Sequence, residues 1–578
     1  MKLCSTIFFA LHFPTTAICN SLPAPRPLKK LISGGASITD VFKYNRIYVD
    51  KTKFAFTLLT AEEHHVSLLR PRRFGKSLFL DTLKEILEGN TELFKNCYIG
   101  KTEYGWKKHI VLTFDFSTFS SKNDGDFDKS LRAALLRMAR FNEVSIKGET
   151  TNILLIDLLD KLSNKIDHTT THGIAVLIDE YDTQILRNLD NPTLAQNISK
   201  DIDSFFYALK YNSKSSVIKF TFVTGVSNFA LFSSASRPNH IADISLEPRY
   251  STALGFTEDE IKKHFSEYIR HMANTRNPAE DQKVTEHTIL QEMHNWYNGY
   301  FFSKDTNFET RIFNPCSIRE YLENGRIQNT WATTGRATSL TYEFQKHSFE
   351  EVLKSFYLTP KTVDEVTLKS SSSIDSIKLL PLFYYHGYYS IKEYYPNQTY
   401  CLDFPNLEVK QAFENEVDLA VEDRRIEIKN LKSCLEILDL KQFFKTLESI
   451  FYHVPSNLNH YNATEKSFHK AIQVLLTCAG IPAKSDYTGL LASPNVVVEL
   501  KNNVIIFELN MAEKDEKEKV ADISLNQRMK KGYENIFFNK QKNVTFVSIF
   551  FDAESWDIGW KAEYYLESGE KIQPMTSA

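Results

Sequence analysis

Two short stretches carry residue types that can do chemistry together. The first, Arg70–Leu78, reads RPRRFGKSL, and the second, Gly173–Asp182, reads GIAVLIDEYD. A nucleoside triphosphate with its magnesium ion calls for backbone N–H groups, a lysine, a hydroxyl and a carboxylate. Gly75 lets the backbone approach a phosphate, Lys76 can reach the β and γ phosphates, and Ser77 can hold magnesium. Asp179, directly after an apolar run, supplies the carboxylate, and Glu180 is the residue to orient or deprotonate a water. Thr224, closing the run KFTFVT, is placed to sense the γ phosphate. The usual loop pattern, G-x-x-x-x-G-K-[ST], has a glycine where this chain has Arg70. That glycine eases a turn, and Pro71 already fixes a backbone angle there. Arg72 and Arg73 have two readings, extra contacts to phosphate or partner and a solvated basic turn; with Phe74 and Leu78 they complete the nucleotide-binding set.

Those residues need a sheet to hold them. HVSLL, His65–Leu69, reads as a strand, followed by the loop and by an amphipathic helix with Phe79, Leu83, Ile86 and Leu87 at helical spacing. Further strands are expected at Ile110–Phe116, in the apolar run before Asp179 and at Lys219–Thr224, with helices near Asp128–Phe141 and Asn152–Ile166. Apolar strands alternating with helices predict an α/β fold whose parallel sheet is covered on both faces. The loop, Asp179 and Thr224 then share the carboxyl edge of that sheet. From about Gly255 the pattern changes to aromatic-rich turns (NWYNGYFF, IFNPCSI, WATTG), a helical or mixed middle region. LPLFYYHGYYSIKEYY and YCLDFPN read as short strands, Leu431–Tyr452 as a helical connector, and Glu465–Trp560 as helix, two strands, helix, strand.

At 578 residues the chain is too long for one core, so two to four domains are expected. Hydrophobic residues at 42%, charged at 24% and aromatic at 13% are those of a folded globular protein and argue against disorder. A formal charge of -3 supplies no global pull toward nucleic acid, so any such binding must be argued from a site. The seven cysteines are scattered without a C-x-x-C pair, which is neither a disulfide framework nor a zinc pattern. The first residues, MKLCSTIFFALHFPTTAICNSLPAPRP, resemble a secretory leader, although His12 and Pro14 interrupt the apolar run. No later apolar segment reaches the eighteen or so residues that cross a bilayer.

RPRRFGKSL, preceded by YVDKTKF and followed by LIDEYD, TGVSNF, DISLEP, GFTEDE, WYNGY, FNP and WATTG, resembles the AAA-ATPase-like family of P-loop proteins, often joined to a C-terminal PD-(D/E)XK nuclease-like domain. In that family RPRRFGKS is itself the usual loop. The resemblance implies that Lys76 and Ser77 bind ATP and magnesium, and that Asp179 and Glu180 form the second acidic motif. With the leader read from composition at 1–30, the resemblance and the pattern along the chain divide the rest into a P-loop domain at 31–270, a helical middle region at 271–400, a connector at 401–460 and a small nuclease-like α/β domain at 461–565. Two departures stand out: Thr183 and Gln184 follow DEYD where Lys-Pro is common, and Phe301 follows WYNGY where an arginine is common.

A PD-(D/E)XK nuclease needs an acid on one strand and an acid-x-lysine on the next, so that carboxylates hold metal while the lysine meets the phosphate. Here Asn495 stands where the aspartate would fall, and VIIFELN carries Glu508 but has Asn510 in the lysine position. Glu465 matches a further acid of the family, and Glu499 offers an alternative to the lost aspartate. The amides predict a retained fold without nuclease activity. The functions in view are an ATP-binding switch or scaffold with slow turnover, an ATP-regulated nuclease on foreign or mobile DNA, and a secreted effector binding a host partner.

Overall fold

The computed structural model describes residues 28–167, 169–213, 217–227, 241–276, 284–305, 310–331, 361–369, 379–395, 398–420, 425–452, 472, 475–476, 479–481, 483–484, 496–511, 542–551, 558–566 and 570–576. Among these, a parallel sheet of five strands forms the first domain: β1 (His65–Leu69), β2 (Lys108–Asp115), β3 (Thr171–Asp179), β4 (Ile218–Gly225) and β5 (Ala242–Asp243). Their order across the sheet is β2-β3-β4-β1-β5. β3 reads as an unbroken apolar run because helices cover both of its faces, leaving Ile174–Ile178 fully buried. Helices Asp126–Phe141 and Thr151–Asn164 fall where the periodicity predicts them. The helix Pro192–Ser213, not foreseen, packs against β4 and the Thr151–Asn164 helix.

The order matters for chemistry. β4 lies between the loop-bearing β1 and the acid-bearing β3, and the in-register pairs Leu68–Thr224 and Ile178–Val223 bring the ends of all three strands level. The β1 loop opens directly into the helix Lys76–Leu87, whose first residue is capped by Gly75 at a φ of 90°. That left-handed angle is open to glycine at no steric cost and aims the helix's free N–H groups back at the loop.

The middle region is mixed. Helices Glu258–His264, Ser266–Thr275, Glu286–Tyr297 and Pro315–Asn324 share a second apolar cluster built on Ile261, Phe265, Ile289, Met293 and Tyr321. A two-stranded ribbon joins β6 (Asn298–Tyr300) to β7 (Ile312–Phe313). A three-stranded antiparallel sheet follows, in the order β8-β10-β9, from β8 (Lys361–Asp364), β9 (Ser390–Tyr395) and β10 (Thr399–Asp403).

LPLFYYHGYY departs from its strand reading: Leu379–His386 is a helix, ended by Gly387 at a φ of 86°, and only the residues from Ser390 onward enter a strand. An apolar run buried on every side has no period to separate helix from strand, and here the glycine marks a helix end.

The C-terminal region holds six described strands in sheet order β11 (Ala483–Lys484), β12 (Val496–Glu499), β13 (Asn503–Met511), β14 (Asn543–Phe551), β15 (Ile558–Tyr565) and β16 (Lys571–Thr576). β12, β13 and β14 match the expected strands, with β13 and β14 parallel, whereas β11, β15 and β16 were not foreseen. The connector divides into helices Arg425–Glu436 and Leu440–Tyr452. The second lies on this sheet through stacked ring pairs, Phe443 on Phe507 at 5.9 Å and Phe444 on Trp560 at 5.0 Å. The proposed leader, the helix carrying Glu465, Asn495 and the charged stretch Lys514–Tyr533 lie outside the described residues.

Candidate functional site

The site assembles at the carboxyl edge of the parallel sheet. Lys76 is buried, and its Nζ donates to the carbonyls of Arg70 and Pro71, both at 3.2 Å, while standing 3.6 Å from Glu180 Oε1. Asp179, the last residue of β3, is only 6% exposed. Burial pushes its carboxyl up to about 6; the Ser77 hydroxyl that hydrogen-bonds it pulls the other way, and the neighbouring Glu180 charge adds to the rise. Glu180 is shifted in the opposite direction, below the usual carboxylate range, chiefly by the Lys76 ammonium. Two adjacent acids thus hold their protons differently, one disposed to accept a cation and the other to stay ionised.

Glu180 takes a φ of 50°, a left-handed conformation that costs a non-glycine residue roughly 1–3 kcal/mol. The twist swings its carboxylate off the strand, where Oε2 accepts from the Thr183 hydroxyl at 2.8 Å. Thr183, one of the two departures after DEYD, therefore positions the acid. The other, Gln184, is buried: its Nε2 donates to the carbonyls of Phe116 at 2.7 Å and Phe119 at 2.9 Å, and its Oε1 accepts from Ser121 at 2.6 Å.

Several loop residues have structural tasks. Arg70 is 1% exposed; its Nη1 donates to the carbonyls of Leu69 at 2.8 Å and Ser245 at 2.7 Å, its Nη2 to Tyr250 at 3.1 Å, and its guanidinium lies 4.2 Å from the Phe302 ring centre. Phe74 is buried edge-on against Tyr300 at 4.8 Å and Phe302 at 5.5 Å. Leu78 packs partly against the core. Arg73, at a φ of 68°, is exposed, and Arg72 is half-buried with its carbonyl accepting from Asn314 Nδ2 at 3.3 Å. Thr224 is fully buried, and its hydroxyl donates to the Leu68 carbonyl at 2.8 Å. That proton is thereby committed to the β1 backbone.

Sequence reasoning passed over three residues. Asp182, the last acid of DEYD, is fully buried and accepts from the N–H groups of Val226 and Ser227 and from the Ser227 hydroxyl, so it holds the turn after β4. Asp115 ends β2 opposite Asp179 and adds to the rise of its carboxyl. The run IVLTFD has the same apolar-then-acid form as VLID and carried that signal. His386, in the FYYHGYY run, is buried beside Gly387, which lies against Pro71 of the loop. WYNGY is where the helix Glu286–Tyr297 passes straight into β6, with Tyr297 and Tyr300 buried; of WATTG only Trp331 is among the described residues, and it is buried. Phe301, the other departure, carries the Arg311 guanidinium 5.1 Å from its ring centre.

In the C-terminal sheet, Glu508 is buried, and Asn510 Nδ2 is 3.4 Å from Ser548 Oγ. No group of three or more His, Cys, Asp or Glu side chains that could hold a metal ion occurs among the described residues. No described helix is long and apolar enough to cross a membrane.

A parallel sheet with a glycine-lysine-serine loop opening into a helix, and an Asp-Glu pair ending a nearby strand, is the arrangement of a P-loop NTPase-like domain. Residues 34–234 match the AAA-ATPase-like family model, described as "Predicted AAA-ATPase". The chain is also 27% identical over 418 residues, 72% of its own length and 74% of the other's, to an uncharacterized protein in the vnfD 5' region of Azotobacter chroococcum mcd 1. That stretch is longer than the family match, so the likeness reaches beyond the P-loop domain.

Proposed function

We propose that the protein is an ATP-binding switch, turning over slowly, in which the nucleotide on the Arg70–Leu78 loop sets how the loop and the middle region pack together. The observation that carries this reading is the convergence of Lys76, Ser77, Asp179 and Glu180 on one sheet edge, at a loop clamped by middle-region aromatics.

The donor set fits magnesium. A hydroxyl beside a buried carboxylate is hard-oxygen chemistry, and the rise of the Asp179 carboxyl is the desolvation cost that a bound cation would relieve. Ser77 and Asp179 are the residues to hold that ion, which when bound neutralises charge on the β and γ phosphates. Lys76 exchanges its Glu180 partner for phosphate oxygens. Glu180, released but still hydrogen-bonded by Thr183, orients the attacking water and accepts its proton. Backbone N–H groups of Gly75 to Leu78 face the phosphates, and Arg72 and Arg73 add positive charge at the rim.

We read the C-terminal sheet as a PD-(D/E)XK-like scaffold used for packing or partner binding. Asn510 lacks the cation that would meet a scissile phosphate, which supports a domain without nuclease chemistry. Calorimetry with magnesium and ATP tests the main reading: Lys76→Ala should abolish measurable binding, and unchanged affinity would end it. Glu180→Gln should keep binding and lower phosphate release by about 10²- to 10⁴-fold. Incubation with DNA, manganese and ATP tests the scaffold; cleavage that disappears in Glu508→Ala would make the protein an ATP-regulated nuclease instead.

A further inference from the structure

We infer that His386 contacts the bound nucleotide: its Nε2, presented by the middle region, donates a hydrogen bond to a phosphate oxygen on the Arg70–Leu78 loop, having taken one proton from solvent to do so. This rests on the ATP reading and adds a phosphate ligand from outside the P-loop domain.

His386 ends the Leu379–His386 helix and is 1% exposed. Its Nδ1 is 2.9 Å from the Leu382 carbonyl, which can only accept, so Nδ1 carries a proton. The neutral ring therefore has a bare lone pair on Nε2, and this buried atom has no hydrogen-bond partner. The next residue, Gly387, lies against the loop so closely that a Cβ there would come within 2.7 Å of Pro71 Cβ. The helix end is thus seated on the loop itself.

Burial above all, and then the Arg72 and Lys76 cations, hold the ring neutral, its pKa pulled down to about 3. On its own helix, Tyr384 faces Arg70 and Asp243, and Tyr385 faces Asp243 and Tyr400. A triphosphate brings several negative charges to the cations that suppress protonation, and so reverses the sign of the local field. Phosphate oxygens only accept, so the contact requires the imidazolium.

The test is calorimetry of the full chain with ATP and saturating magnesium at pH 7.5, above the Asp179 titration, in phosphate and in Tris buffer, whose ionisation enthalpies differ. Uptake approaching one proton per ATP is expected for wild type and should vanish in His386→Gln, with affinity falling about ten- to hundredfold. ATP binding with the same enthalpy in both buffers overturns the inference, as does unchanged affinity in the variant. If the variant does not fold, the wild-type buffer dependence decides alone. No ATP binding by wild type would overturn the ATP reading itself, a separate outcome.

Discussion

Arg70 occupies the position of a conventional loop glycine and does the opposite of what a glycine does. Its side chain is buried and binds three carbonyls on the strand end and the 245–250 turn, with burial lowering its pKa to about 10. Restoring the standard pattern with Arg70→Gly should therefore harm the protein. The freed carbonyls and the void together predict a loss of about 2–4 kcal/mol, read as a lower urea midpoint. Asp179 makes the converse case, a residue whose chemistry costs stability. Its folded pKa of about 6 lies above the ordinary carboxylate value, so the unfolded state holds fewer protons between roughly pH 4 and 6, and stability falls as pH rises through that window. Asp179→Asn should thus stabilise the magnesium-free protein at pH 8, by at most about 3 kcal/mol, with the gain vanishing near pH 4. A variant melting below wild type at pH 8 would contradict this.

At the scale of elements, the loop is held between two supports. β4 levels it with the acids of β3, and the middle region grips it through Tyr300 and Phe302 against Phe74, Asn314 against Arg72 and Gly387 against Pro71. β6 and the residues after it are therefore mechanically continuous with the phosphate loop. Hydrogen exchange should show this: adding ATP and magnesium is expected to slow exchange at Gly299–Phe302 and His386–Ser390 as well as in the loop. Protection confined to the loop would mean that the middle region does not respond. Gly387→Ala, with a left-handed backbone and a Cβ driven toward Pro71, should weaken ATP binding severalfold although it removes no polar group.

For the whole molecule, the two edges of the parallel sheet divide the labour. The carboxyl edge gathers the candidate site, while the opposite edge brings His109 at the start of β2 against His172 at the start of β3, ring centres 5.2 Å apart. Burial, with His172 as a neighbour, lowers His109 to about 4. A histidine with a depressed folded pKa leaves the unfolded state holding more protons between about pH 6.5 and 4, so its contribution is lost as pH falls through that window. His109→Gln should lessen acid destabilisation across that range, seen by following the urea midpoint against pH, and should leave ATP affinity unchanged.

The chemistry-bearing residues were legible because each sits at a period break: Lys76 and Ser77 where a strand turns into a helix, Asp179 and Glu180 where an apolar run meets acids. Local order along the chain determined the strands, the loop and the α/β class, since burial on both faces writes itself as runs of Val, Ile and Leu. Tertiary structure alone decided the rest. That Arg70 is a bolt, that the Thr224 hydroxyl is spent on Leu68, that Asp182 braces the turn after β4 and that Gly387 reaches the loop from some 300 residues away are matters of contact between distant segments. Spacing along one chain cannot encode which buried polar atom finds a partner; only packing settles that.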